Sequence, residues 1–327
     1  MSDHKEAKSF SRFGYIMVAA GAAIGLGNIW KFPYLAYGDG GGAFVLIYIV
    51  ICILLGHPIV QAEQAVGRRG RASAAASYGV IHPKWRFVGV INIVCTFLID
   101  IYYLVVSGWV LKYFVTYVVS GDFGKDKQAY FDNYISSTTQ PLIHSLVIIA
   151  IIVFFLFFGI TNIVEKASKV IMPMLAVLLL VCGIYALIVV PGAVDGLKYY
   201  FVPDFSKFGM QQFADACMQV CFSVGIGWGI FTTLGASMDK DANLKADAWW
   251  VNICDTFIAL LAGFVIIPTV VGTGSEMSSG PSLVFVAMTQ IFETLPGGRM
   301  IGIFFFASLI FAVISTFFTI LEIPRMY

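Results

Sequence analysis

Charge is scarce in this chain. Only 12% of its 327 residues are Asp, Glu, Lys or Arg, about half the usual share of a soluble domain. The 20 basic and 19 acidic side chains nearly cancel, leaving +1, so there is no basic surplus to hold a nucleic acid. Cysteine is missing from every hydrophilic stretch: Cys52, Cys95, Cys182, Cys217, Cys221 and Cys254 all fall within apolar runs, which excludes a disulfide framework. Cys217 and Cys221 share a helix face, but no His or carboxylate set completes a metal site, and small packing residues are the better reading. His4, His57, His82 and His144 form no metal-ligand spacing. There is no Gly-x-Ser-x-Gly elbow and no Gly-x-x-x-x-Gly-Lys-Ser/Thr phosphate loop, so neither a serine hydrolase nor an ATP-driven machine is indicated.

What is present is apolar. Ala, Val, Ile, Leu, Met, Phe, Trp, Tyr and Cys supply 59% of the chain, and the mean hydropathy is +0.87. No soluble fold hides that much apolar surface, and the lipid bilayer is the natural solvent. Runs near 13–36, 43–66, 87–119, 142–160, 167–190, 209–236, 248–275 and 299–323 each reach the roughly 20 residues that a helical span needs. They lack the alternating polarity of barrel strands. The expected fold is an all-α integral membrane protein of about eight spans, one membrane domain over residues 1–327. The segment 121–140, with Asp122, Lys125, Asp126, Lys127 and Asp132, reads as a solvated loop.

Basic residues set the orientation. Thirteen lie on one side of the spans: Lys5, Lys8, Arg12, Arg68, Arg69, Arg71, Lys84, Arg86, Lys166, Lys169, Lys240, Lys245 and Arg325. Five lie on the other: Lys125, Lys127, Lys198, Lys207 and Arg299. The richer side is cytoplasmic by the positive-inside rule, so the N-terminus is expected inside, in a multi-pass protein of the cell membrane.

Two spans carry glycines that a continuous helix would not choose. Span 1 has Gly21, Gly25 and Gly27 before Asn28, and span 6 has Gly225, Gly227 and Gly229 just after Ser223. Each interior glycine costs about 1 kcal/mol relative to alanine. Glycines four apart also suit close helix packing. The polar Asn28 and Ser223 beside both clusters favour unwound chain instead. Unwound chain at membrane depth must line a polar cavity. Its N–H end favours a carboxylate, and its carbonyls favour a small hard cation. Gly25 and Gly225 sit in spans of opposite direction, the pattern of an inverted repeat with a binding site between its halves. The repeats would be residues 12–190, with five helices, and 208–327, with three.

Gly25-Leu26-Gly27-Asn28-Ile29-Trp30-Lys31-Phe32-Pro33-Tyr34, followed by Gly40-Gly41-Gly42-Ala43-Phe44, resembles the signature of the neurotransmitter:sodium symporter family. Similarity continues at Glu63 with Gly67-Arg68, Tyr102-Tyr103, Trp109, Pro203-Asp204-Phe205 and Ala312 to Thr316, covering essentially the whole chain. The resemblance implies a leucine-transporter-type inverted-repeat bundle with helices 1 and 6 broken. It also implies that the protein is not an enzyme and has no organic cofactor. Its activity would be sodium-coupled symport of a small apolar or aromatic amino acid by alternating access, with two sodium ions.

By the same resemblance, substrate would meet Ala23, Gly25, Leu26, Gly27, Ile99, Tyr103, Phe222, Ser223, Gly225, Trp228 and Ile320. Sodium site 1 would use Ala23, Asn28, Ser223 and Asp255 or Asn252, with Gly263 in the middle of span 7 favouring Asp255, and sodium site 2 would use Gly21, Ile24, Ala312, Ser315 and Thr316. Lys31, Tyr103 and Phe222 would gate the site. Glu63 would accept N–H groups freed by the break in span 6, the alternative being a buried protonated carboxyl. Biogenic-amine carriers of the family place Asp where Gly25 stands, so Gly25 points to amino acids. A carboxylate at Asp255 supplies the negative charge for which some relatives use chloride, which implies chloride independence.

Departures are equally legible. The latch Arg and Trp of the family are Glu6 and Ser9 here, with Lys8 and Phe10 nearby. Asp100 in span 3 reads either as a contact to a polar substrate group or a proton site, or as a carboxyl bonded off the pocket. The chain stops at Tyr327, just past span 8. This reads as a truncated product, with a non-transporting binding or regulatory membrane protein as the alternative function. Oligomeric state is not legible.

Overall fold

The computed structural model describes residues 11–157 and 160–320, with the side chains at 155–163, 207 and 318 left aside. The latch positions Glu6, Lys8, Ser9 and Phe10, and also Arg325, lie outside the described residues. Span 1 is α1 (Arg12–Ala23) and α2 (Phe32–Gly38), joined through a π-helical turn at Gly27–Lys31. Span 2 is α3 (Gly42–Ile51), a π-helical turn at Cys52–Gly56 and α4 (His57–Gly70). After α5 (Ala74–Ile81) come span 3, α6 (Arg86–Val119), then α7 (Lys127–Ser136) and span 4, α8 (Thr139–Phe157). Span 5 is α9 (Ile160–Val189), followed by α10 (Ala193–Phe201). Span 6 is α11 (Met210–Val224) and α12 (Ile230–Ala236), and span 7 is α13 (Leu244–Thr273). A π-helical turn at Leu283–Ala287 leads into α14 (Met288–Thr294), and α15 (Gly298–Ile320) is span 8.

Five of these are unbroken apolar helices long enough to cross a membrane, while α1 and the segment Gly27–Gly38 form a pair bent by 60°. Proline and side-chain caps explain several boundaries. Pro58 has no N–H to give the preceding turn, and the π-helical turn Cys52–Gly56 sits just before it. The Ser11 and Asn243 side chains accept N–H groups in the first turns of α1 and α13.

α1 is buried over ten of its twelve residues and packs among α9, α13 and α15. In lipid, such packing relies on close contact and small residues rather than on water exclusion. Between α4 and α12 the backbones nearly touch: a Cβ on Gly67 would lie 1.8 Å from the Thr232 carbonyl oxygen. Glycine there lets span 2 brace the far half of span 6.

The segment 121–140 is not simply a solvated loop. It contains α7, N-capped by Asp126, whose side chain accepts the Ala129 N–H at 2.9 Å. Phe131 and Tyr134 are buried, and Phe131 stacks on Phe285 at 5.4 Å between centroids. Aromatic residues three or four apart gave this helix an inward face that its many charges obscured.

Candidate substrate and ion site

The breaks fall where the glycines are. α1 ends at Ala23, and Ile24 is extended with φ −72° and ψ 99°. The helix restarts as the Asn28 N–H reaches the Gly25 carbonyl at 3.2 Å, while the Asn28 side-chain oxygen accepts the Gly25 N–H at 3.1 Å. Leu26 and Gly27 therefore open a new half-helix, whose first-turn N–H groups have no intrahelical acceptor. In span 6, Gly225, Gly227 and Gly229 have φ of +74°, +80° and +76°. Three left-handed residues within five are accessible to glycine at little cost.

The opened turn in span 6 is held by neighbours. A Glu63 carboxylate oxygen accepts the Gly227 N–H at 2.8 Å. The Asn92 amide, in the orientation that satisfies both its atoms, donates to the Gly227 carbonyl at 2.9 Å, and the Thr96 hydroxyl donates to the Trp228 carbonyl. Buried peptide groups freed by the break thus regain partners from spans 2 and 3.

Asn28, Ser223 and Asp255 meet at the first break and are almost fully buried. The Asn28 amide donates to the Ser223 hydroxyl oxygen at 2.9 Å and to Asp255 Oδ1 at 2.8 Å. The Ser223 hydroxyl donates to Asp255 Oδ2 at 2.9 Å. Three elements, the restarted span 1, α11 and α13, are tied by one polar knot. Tyr48 adds a fully buried hydroxyl beside Cys52, Ser223 and Asp255. Oxygen-rich clusters of this kind suit a hard cation.

A second cluster lies between span 1 and α15. The Thr316 hydroxyl is 3.3 Å from the Gly21 carbonyl oxygen, 3.0 Å from that of Ile24 and 2.9 Å from that of Ala312. Ser315 is 1% exposed, and its hydroxyl oxygen has no hydrogen-bond partner among the described residues. That oxygen lies over Gly21, where an added Cβ would sit 1.9 Å from it. A buried hydroxyl without a partner, beside three carbonyls facing one hydroxyl, is a donor set that fits a small cation.

A cavity joins the two clusters. Ala23, Gly25, Leu26, Gly27, Ile99, Tyr103, Phe222, Ser223, Trp228 and Ile320 line it, with Thr316 and Asn28 from the clusters. The Tyr103 hydroxyl donates to Thr316 Oγ1 at 3.3 Å and lies against the Leu26 amide. Phe222 covers Gly27 closely: a Cβ there would meet the ring at 2.4 Å. The Lys31 ammonium lies 4.6 Å above the same ring, and Trp228 meets it edge-on at 5.6 Å. At the other end of α1, Arg12 pairs with the buried Asp247 at 2.9 Å. There too Ser11 donates to Glu165 at 2.5 Å, and Lys169 reaches Ser11 at 3.0 Å.

Residues 7–122 and 128–324 match the family model described as the sodium:neurotransmitter symporter family. The chain belongs to that family. It is 33% identical over 96% of its length to an uncharacterized sodium-dependent transporter of Haemophilus influenzae, and covers 72% of that protein. It is 34% identical over 99% of its length to the uncharacterized sodium-dependent transporter YhdH of Bacillus subtilis, again covering 72%. The crystal structure of MhsT in complex with L-phenylalanine shares the fold at TM-score 0.89 and 34% identity, over 98% of this chain and 74% of that one. The protein is therefore a sodium-dependent transporter with a multi-pass, leucine-transporter-type helical bundle, and not an enzyme.

Within this symporter, two expected positions need correction. Gly225 does not line the cavity: it is the left-handed cap of α11, and a Cβ there would meet Ile230 at 3.1 Å and Trp228 at 3.4 Å. Asn252 is turned away from the knot. Its amide donates to the Ala248 carbonyl, and its oxygen lies by Gly56. Ala22, Trp30 and Tyr102 line the cavity although nothing singled them out as wall residues. Asn92 and Tyr48 were likewise missed as site residues. A polar residue at one-turn spacing from Thr96 was the available signal for Asn92. Asp100 is not on the cavity wall, and one of its oxygens is buried without a hydrogen-bond partner among the described residues.

Proposed function

We propose that this protein carries a small apolar or aromatic amino acid inward with sodium by alternating access, in the cell membrane with its N-terminus cytoplasmic. The reading rests on one observation: two broken half-helices, a polar knot with a buried carboxylate and a hydroxyl–carbonyl cluster all border a single cavity. The substrate carboxylate would lie at the Leu26 and Gly27 amides and the Tyr103 hydroxyl. Its ammonium would face carbonyls near Ala23 and Phe222. Ile99, Phe222, Trp228 and Ile320 would bound its side chain. The absence of a side chain at Gly25 leaves the carboxylate position open, and the mostly apolar and aromatic wall favours apolar substrates. A related protein is known with L-phenylalanine bound.

One sodium would use Ala23, Asn28, Ser223 and Asp255, and the second Gly21, Ile24, Ala312, Ser315 and Thr316. Residues 12–190 and those from 208 onward would act as the two inverted repeats. The clamps of Arg12 on Asp247 and of Ser11 on Glu165 would hold the cytoplasmic end of span 1 shut. Uptake of labelled L-phenylalanine into proteoliposomes tests the coupling. Accumulation should follow an inward sodium gradient and stop when potassium or choline replaces sodium. Equal uptake in choline would overturn the proposal.

A further inference from the structure

Where α7 meets α6 and α8, the side chains of Lys112, Tyr130, Asn133, Tyr134 and Gln140 line a cavity of about 300 Å³. Two contacts seat α7 there: the Tyr130 hydroxyl lies 3.1 Å from that of Thr116, and the Tyr134 hydroxyl donates to the Gly108 carbonyl at 3.4 Å. α7 is bent 78° from α8, so it crosses the end of the bundle instead of extending it. Lys112 is half-buried, and its ammonium stands 5.7 Å from the centre of the Tyr130 ring. Neither that ammonium nor the side-chain amides of Asn133 and Gln140 make a hydrogen bond or ion pair among the described residues. Asp132, the neighbour of Asn133, accepts the Gln128 amide at 2.9 Å instead.

Depth says which ligand is at hand. Lys112 follows Tyr103, a wall residue of the central cavity, by nine positions on α6. At 1.5 Å per residue that is about 14 Å from the level of the helix breaks, close to the roughly 15 Å half-thickness of a hydrocarbon core. The ammonium therefore stands where lipid phosphates begin. Ile101 and Val105, eleven and seven positions earlier on the same face of α6, are exposed, as are Leu142 and Leu146 on α8, which packs against α6. This apolar strip runs from the cavity toward the midplane, as an acyl chain does. A lysine within a span costs free energy unless it reaches water or meets an anion. Reaching water alone would not gather two further unused amides around it. An ammonium and two amides offer N–H donors to a group with several acceptor oxygens and negative charge. We propose that Lys112, Asn133 and Gln140 bind the phosphate of an anionic phospholipid headgroup, whose acyl chains lie along the strip on α6 and α8. The site is separate from the substrate and ion site and does not depend on the transport reading.

The test is native mass spectrometry of the full chain in detergent, titrated with dioleoylphosphatidylglycerol and read as the dissociation constant of the first bound lipid. Lys112→Met should weaken binding roughly fivefold, the change that corresponds to about 1 kcal/mol for one basic residue at an anionic headgroup. Lys112→Arg should stay within about twofold of the parent, since a guanidinium also binds phosphate. Asn133→Ala combined with Gln140→Ala, both exposed positions, should weaken binding by a similar factor and carries the test if Lys112→Met does not fold. Lys198→Met, at an exposed lysine paired with Asp195, is the control and should change nothing. An unchanged constant in folded Lys112→Met or in the amide double variant overturns the proposal, because it marks a lysine that merely reaches water. Equal weakening by Lys198→Met overturns it too, as general attraction between charges. Inorganic phosphate is the other arm: at millimolar concentration it should leave the bound lipid in place. Displacement of the lipid, with a raised unfolding midpoint of the lipid-free protein, assigns the cavity to the free ion and overturns the lipid site.

Discussion

Ser315→Ala should stabilise the protein without sodium and weaken it with sodium. In the structure the Ser315 hydroxyl oxygen is buried and has no partner among the described residues. An unsatisfied buried polar group costs about 1–3 kcal/mol, and alanine at this helical position removes that cost. Alanine also has the higher helix propensity. With sodium present the sign should reverse, because on the proposed site the hydroxyl would become one of the cation's oxygens. Contacts to a charged partner contribute about 1.5–3 kcal/mol, which corresponds to a roughly 10- to 150-fold weaker sodium affinity on removal. At sodium about 100 times its dissociation constant, binding stabilises the fold by about 2.7 kcal/mol, and a tenfold loss of affinity cuts this to about 1.4 kcal/mol. The assay is a pair of sodium titrations followed by thermal unfolding in choline-balanced buffer. The variant should start at an equal or higher midpoint and rise less, so the two curves cross. A variant with the parental sodium-induced shift, or one destabilised in choline alone, would refute the assignment of Ser315 to an ion site.

Two further outcomes follow from the same geometry. Glu63→Ala leaves the Gly227 N–H without its acceptor and should cost about 1–3 kcal/mol in unfolding free energy, whereas Glu63→Gln keeps an acceptor oxygen and should retain much of it; equal losses would argue against the contact. Replacing chloride by gluconate should leave sodium-dependent uptake unchanged, because the Asp255 carboxylate already supplies the negative charge beside Asn28 and Ser223; a clear fall in rate would contradict that charge balance.

The parts of this fold readable from sequence are those governed by local chemistry. Each of the eight apolar runs is helical, and among the described residues five helices are long and apolar enough to cross a membrane, up to seven if each bent pair is one span, because length and hydropathy decide what the bilayer accepts. Gly225, Gly227 and Gly229 marked a break because no other residue holds three positive φ angles so cheaply. The short helices between spans were less legible. α7 presents Asp126, Lys127 and Asp132 to a sequence reader, yet Lys127 is 3% exposed and pairs with Glu293, a partner more than 160 positions away. The choice between Asp255 and Asn252 had the same character. Both lie on α13 near the right depth; the mid-span Gly263 favoured Asp255, and the packing of Gly56 against Asn252 shows that Asn252 turns from the knot. Asn92 escaped notice because its role depends on a carbonyl exposed by a break in another span.

Thr316 has a consequence of its own. One oxygen atom touches two carbonyls at the end of α1, those of Gly21 and Ile24, and, through Tyr103, the place where a carboxylate would rest. An ion arriving on one side of that atom and a solute arriving on the other must bargain for the same lone pairs. On the proposed site, neither could settle without changing the terms for its companion, and coupling would then need no long relay, only a shared hydroxyl.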